Sequence, residues 1–181
     1  MSIKTAAQIR DFWFSDRNRP NWFVKSDAFD SHVTSECGPT YEAARRGDLD
    51  DWASSAQDAL ALVIVLDQFP RNMFRGSPRS FESDHLALKH ARAAVERGFD
   101  AELDGEGRQF LYLPFEHSED LADQERSVAL YQALGQPEAL DYAHQHHDII
   151  ARFGRFPHRN KVLGRESTPE EAEFLKTHKG F

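Results

Sequence analysis

Residues 59–76 read ALALVIVLDQFPRNMFRG. The first eight, Ala59 to Leu66, are all apolar. A helix with no polar face must be buried on every side, so this segment is expected to be the central helix of an all-α domain. Its character then changes abruptly, through Asp67 and Gln68 into Phe69-Pro70, with Arg71, Asn72 and Arg75 around Met73 and Phe74. Proline lacks the amide donor that a helix interior needs, so Pro70 predicts the helix stop. Residues 149–165, IIARFGRFPHRNKVLGR, end in the same way: Phe156-Pro157, then His158, Arg159, Asn160 and Arg165. These two elbows are the clearest internal echo in the chain. They do not extend to the regular 34-residue period of tetratricopeptide arrays.

Outward from this stretch, helical periodicity continues and no convincing alternating strand occurs. Thr5 is a candidate cap for a helix over residues 6–14, with Ile9, Phe12 and Trp13 on one side. Residues 16–24 form a loop presenting Trp22 and Phe23. A helix over residues 27–46 is expected to break at Gly38-Pro39, and the central helix to start at Asp50 or Asp51. Helices are further predicted over 85–97, 105–113 (ending at Pro114), 119–134 (capped by Ser118) and 138–152. Thr168-Pro169-Glu170-Glu171 carries a capping-box start, with the cap residue, proline at the first turn and an acid at the third position. Seven or eight helices with short connections imply antiparallel pairs in one all-α domain spanning residues 1–181.

Composition narrows the functional classes. The 181 residues carry a net charge of −8, which argues against general nucleic-acid or anionic-membrane binding. Arginine outnumbers lysine 16 to 6, favouring planar forks suited to carboxylate or phosphate. Residues 149–165 hold five cations and no acid, which suggests a basic pocket in an acidic shell. The single Cys37 excludes an intrachain disulfide and fits a reducing compartment. The first residues lack a secretory pattern and the longest apolar run is far short of a membrane span, so a cytoplasmic location is expected.

LDQFPRNMFRG, FLYLPFEHSEDLADQ and HHDIIARFGRFPHRNKVLGRESTPEE, together with the aromatic DFWF and NWF, resemble the bacterial family of domain of unknown function 924. The resemblance implies a tetratricopeptide-like fold of stacked antiparallel helix pairs, and it brings no established activity. Glu116 departs from the apolar residue expected there in relatives.

Three constellations could carry chemistry. In the elbows, Arg71, Arg75, Arg155 and Arg159, with Asn72 and Asn160, either cap and brace the helix ends or converge as forks around an anion. In Glu116-His117-Ser118-Glu119-Asp120, His117 precedes a helix start and is a candidate general acid or base with Glu119 as its orienter; His158 is the alternative. In His144–Asp148, the apolar stripe predicts His147 inward and His146 toward solvent, with Asp148 and Arg152 placed to pair. That cluster lacks the four-ligand set of a closed zinc site, and no P-loop, dinucleotide-binding or nucleophile-elbow motif occurs, so neither metal nor cofactor is expected. The resulting expectation is a basic His/Arg pocket for a small carboxylate or phosphate, with acid–base chemistry on it. The alternative is a non-enzymatic helical scaffold that docks a peptide or partner protein. Oligomeric state is not legible.

Overall fold

The computed structural model describes residues 2–181, all-helical, with no strand among them. Its α-helices are α1 (Ala6–Trp13), α2 (Asp27–Arg45), α3 (Ala56–Met73), α4 (Asp84–Glu96), α5 (Gly105–Glu116), α6 (Leu121–Leu134), α7 (Pro137–Phe153), α8 (Asn160–Leu163) and α9 (Pro169–Phe174). Short 3-10 turns fill several connections. No helix among the described residues is long and apolar enough to cross a membrane. The chain divides into two compact units, Met1–Arg75 with Arg79–Pro114, and Gly76–Pro78 with Phe115–Phe181.

In the first unit, α3 is the axis. Every residue from Ala59 to Pro70 is buried, and α1, α2 and α4 pack around it. The apolar run of the sequence therefore occupies the position that its all-round hydrophobicity requires. Trp13, Phe69 and Phe110 meet near its C-terminal half, with Trp13 5.7 Å from Phe69 and 5.5 Å from Phe110 between ring centroids. Trp22, expected in an open loop, is half-buried; it stacks on Trp13 and donates from Nε1 to the Trp13 carbonyl at 3.0 Å.

Pro70 does not stop α3. The helix continues through it to Met73, because the carbonyl that Pro70 cannot serve finds another donor: Ser83 Oγ donates to the Leu66 oxygen at 2.6 Å. Nor does Pro39 break α2. Val33, Cys37, Tyr41 and Ala44, spaced i, i+4, i+8 and i+11, are each at most 1% exposed. Burial of that stripe outweighs a proline cost of roughly 3 kcal/mol. Pro114 is likewise inside α5, which runs on to Glu116. A 3-10 turn occupies Asp50–Ser54, and the start of α3 moves to the Ser55 cap, whose hydroxyl accepts from the Asp58 amide.

In the second unit, α6 packs on α7, and Ile149, Ile150 and Phe156 form a core with Phe153 and Phe174 against it. Asp120 rather than Ser118 caps α6, accepting from the Ala122 amide; Ser118 instead donates to Asp123 at 2.7 Å. Thr168 and Glu171 make the reciprocal capping box expected of the sequence. Gly154 ends α7 at φ 68°, a left-handed position that costs a glycine nothing.

Candidate functional site

The first elbow lies in the first unit. Arg71 clasps Asp84 with two bonds of 2.8 and 3.0 Å, and also donates to the Asp67 carbonyl at 2.6 Å. Arg75 clasps Asp30 at 2.7 and 2.9 Å, and Asn72 donates to the same carboxylate at 2.7 Å. These contacts fasten the end of α3 to α2 on one side and to α4 on the other. Burial works to raise the Asp30 pKa, but the bonds from Arg75 and Asn72 outweigh it and hold the carboxyl below its usual range.

The second elbow, in the second unit, repeats the device. Arg155 clasps Glu171 at 2.6 and 2.8 Å, and Asn160 donates to the same carboxylate at 3.3 Å. In both elbows one arginine and the asparagine thus share a single acid from another helix. Bonds from Arg155 dominate in pulling Glu171 down to about 2. Glu119, expected to orient His117, spends both oxygens elsewhere. It accepts from Arg165 at 2.7 and 3.0 Å and from the Phe156 amide at 2.8 Å. Arg152 pairs with Glu170 rather than with Asp148, which sits beside His147.

Arg159 is set apart from the other forks by its burial. It is the one buried cation among the described arginines and lysines, 7% exposed, with its guanidinium 4.5 Å from the centroid of the Phe156 ring. The imidazoles of His146 and His158 pack on the same Phe156 ring. His146, expected to face solvent, is the inward residue of α7 at 5% exposed, and His147 is the more open one. The phase of α7 is set by Ala139, Ala143, Ile149 and Ile150, and His146 falls on their side. His146 Nδ1 lies 2.8 Å from the Tyr142 carbonyl and 3.2 Å from Glu116 Oε1. Its ring is 6.3 Å from that of His117 and 5.5 Å from Phe156. Glu116 is therefore the carboxylate at this cluster.

Burial pushes His146 down to about 3 against the pull of the Tyr142 carbonyl. Burial and then the Arg159 charge take His158 to about 4. Both are neutral imidazoles at physiological pH, each with one nitrogen able to accept and one able to donate. His158 Nδ1 is buried without a hydrogen-bond partner. A neutral imidazole near a buried guanidinium offers a hydrogen-bond donor and an acceptor to a molecule that the guanidinium holds. No group of three or more His, Cys, Asp or Glu side chains among the described residues is arranged to hold a metal ion.

One feature of the first unit has no signature in the sequence. A cleft of about 350 Å³ opens between α1, α3 and the start of α5, walled by Arg10, Asp11, Arg19, Gln57, Asp104 and Glu106. Arg10 pairs with Asp58 at 2.7 Å and Arg19 pairs with Glu106. Acids outnumber arginines on its walls, so its chemistry does not suit an anion. Its residues come from separated segments, none with a motif, which is why spacing could not reveal it.

No functionally curated protein matches the chain. A solved structure described as a protein of unknown function, ATU0120, from Agrobacterium tumefaciens is similar to it at 46% identity and a TM-score of 0.91, covering 96% of this chain and 97% of that one. The family profile of bacterial proteins of unknown function DUF924 matches residues 9–179, and the chain belongs to that family.

Proposed function

We propose that the protein binds a small anionic molecule, a carboxylate or phosphate compound, at Arg159 in the second unit, with His158 and His117 as the groups that could exchange a proton with it. The observation that carries this reading is the buried Arg159 guanidinium, 4.5 Å from the centroid of the Phe156 ring, against which the His146 and His158 rings also pack at 5.5 and 5.6 Å. A cation desolvated in this way interacts with an anion far more strongly than one in water does. Arg71, Arg75 and Arg155, with Asn72 and Asn160, already hold carboxylates of the chain, and Glu119 holds Arg165. These clasps brace the helix ends.

The test is ligand-induced thermal stabilisation and calorimetry with inorganic phosphate and small carboxylates. Loss of one charged hydrogen bond, about 1.5–3 kcal/mol, makes Arg159→Ala bind roughly ten- to a hundredfold more weakly, while exposed Lys161→Ala binds as the parent does. Equal affinities in the two variants would reject the site.

A docking role for a peptide or protein partner is the second reading. It is favoured by the adjacent Phe23 and Val24 of the first unit, 66% and 58% exposed. It predicts that Phe23→Asp abolishes capture of a partner from lysate without lowering the melting temperature.

A further inference from the structure

The second unit contains a box of rings with one ring inside it. Phe181 lies flat on His146, with centroids 3.6 Å apart and an interplanar angle of 18°. His178 at 4.9 Å, His158 at 6.1 Å and Tyr142 at 6.4 Å stand steeply to it, at 69°, 79° and 72°. One face of an aromatic ring is thus covered by an imidazole and its edge by three further rings. The other side is open, because Phe181 remains 52% exposed.

Two observations indicate that this ring is a replaceable occupant. Among the described residues no hydrogen bond holds Lys179, Gly180 or Phe181, and the last turn bond belongs to the His178 amide, so the segment is seated by ring contacts. Gly180, at φ 110°, lays its backbone so close to His158 that a Cβ there would meet the imidazole at 3.2 Å. Beneath this segment, His158 Nδ1 and His178 Nε2 are both buried with no partner. Buried polar nitrogens without partners are unfavourable, and a molecule that brought them an acceptor would relieve that cost.

We propose that the His146 face is an aromatic-ring subsite, occupied in this structure by Phe181, and that the ligand of the Arg159 site is an aromatic carboxylate whose ring takes the place of Phe181. Its ring lies on His146, and its carboxylate accepts from the imidazoles of His158 and His178 in the field of Arg159. Residues 179–181 then act as a competitor within the chain. This inference rests on the anion site proposed above and adds the ring specificity and the competitor.

The experiment compares the parent chain with Phe181→Ala, using benzoate, cyclohexanecarboxylate and inorganic phosphate as probes. Stacking and edge contacts of this kind are worth about tenfold in affinity. Phe181→Ala is expected to bind benzoate about tenfold more tightly than the parent does, with a much smaller gain for cyclohexanecarboxylate and none for phosphate. In NMR spectra, the ring-current shift of the His146 imidazole protons disappears in Phe181→Ala and returns on adding benzoate. Benzoate binding that is no tighter in Phe181→Ala, or an equal gain for cyclohexanecarboxylate, overturns the aromatic subsite. Arg159-dependent phosphate binding would then leave the anion site standing. Absence of saturable phosphate binding overturns the anion site itself.

Discussion

The substitution Ser83→Ala tests how α3 passes through Pro70. Ser83 is fully buried, and its hydroxyl donates to the Leu66 carbonyl at 2.6 Å, the acceptor that an amide at position 70 would normally satisfy. Removing the hydroxyl leaves a carbonyl unpaired on a residue with no exposure. Such an orphaned buried acceptor costs about 1–3 kcal/mol. Tyr41 is little affected, because its hydroxyl keeps a 2.8 Å bond to Glu82 and only loses a long 3.4 Å contact with Ser83. With about 2 kcal/mol lost, a chain of this length should melt roughly 4–8 °C lower. The decisive comparison is the double-mutant cycle with Pro70→Ala, which restores an amide to the helix. In that background the Leu66 carbonyl regains a partner, and Ser83→Ala should cost about 1 kcal/mol less than it does alone. Urea unfolding followed by far-UV circular dichroism measures all four free energies. An identical cost of Ser83→Ala in both backgrounds would refute the account of Pro70.

Three further outcomes follow from the same contacts. His146 stays neutral down to about pH 3 in the folded chain, whereas the unfolded chain takes up that proton below about pH 6.5. The unfolded state therefore binds more protons as pH falls through this window, and stability drops by about 1.4 kcal/mol per pH unit for this residue; a His146→Phe variant with an unchanged slope in urea midpoints would contradict the assignment. Glu171→Gln removes a buried carboxylate that holds Arg155, Asn160 and the Thr168 amide, and should cost about 2 kcal/mol at neutral pH, less than a fully buried pair because Arg155 is partly exposed. The depressed Glu171 titration places that contribution above about pH 4.5 and removes it as pH falls toward 2. Cys37 has no exposure, and burial pushes its thiol up to about 12, so thiol reagents should label it only at the rate of unfolding.

The buried helix was legible because eight consecutive apolar residues admit one environment. The capping box at Thr168 was legible because its chemistry is local. What the sequence hid depends on partners distant in the chain. Pro70 signals a stop unless Ser83, thirteen residues on, is known to serve the Leu66 carbonyl. Pro39 signals a break unless the stripe from Val33 to Ala44 is known to be buried. The elbows pointed to the right arginines and left their partners open, because nothing in the spacing links Arg75 to Asp30 or Arg155 to Glu171. His147 and His146 differ by one step on α7, and a phase error of 100° exchanged them. Arg159 was one of four candidate forks; burial, which periodicity in a short 3-10 turn cannot report, distinguishes it.

The anion site is tested most directly by crystals of the protein grown with selenate, a phosphate-like anion with an anomalous signal. The account predicts an anomalous peak within hydrogen-bonding distance of the Arg159 guanidinium and an imidazole nitrogen of His158, absent in Arg159→Ala crystals. Peaks confined to exposed arginines and lysines, with none at Arg159, would contradict it.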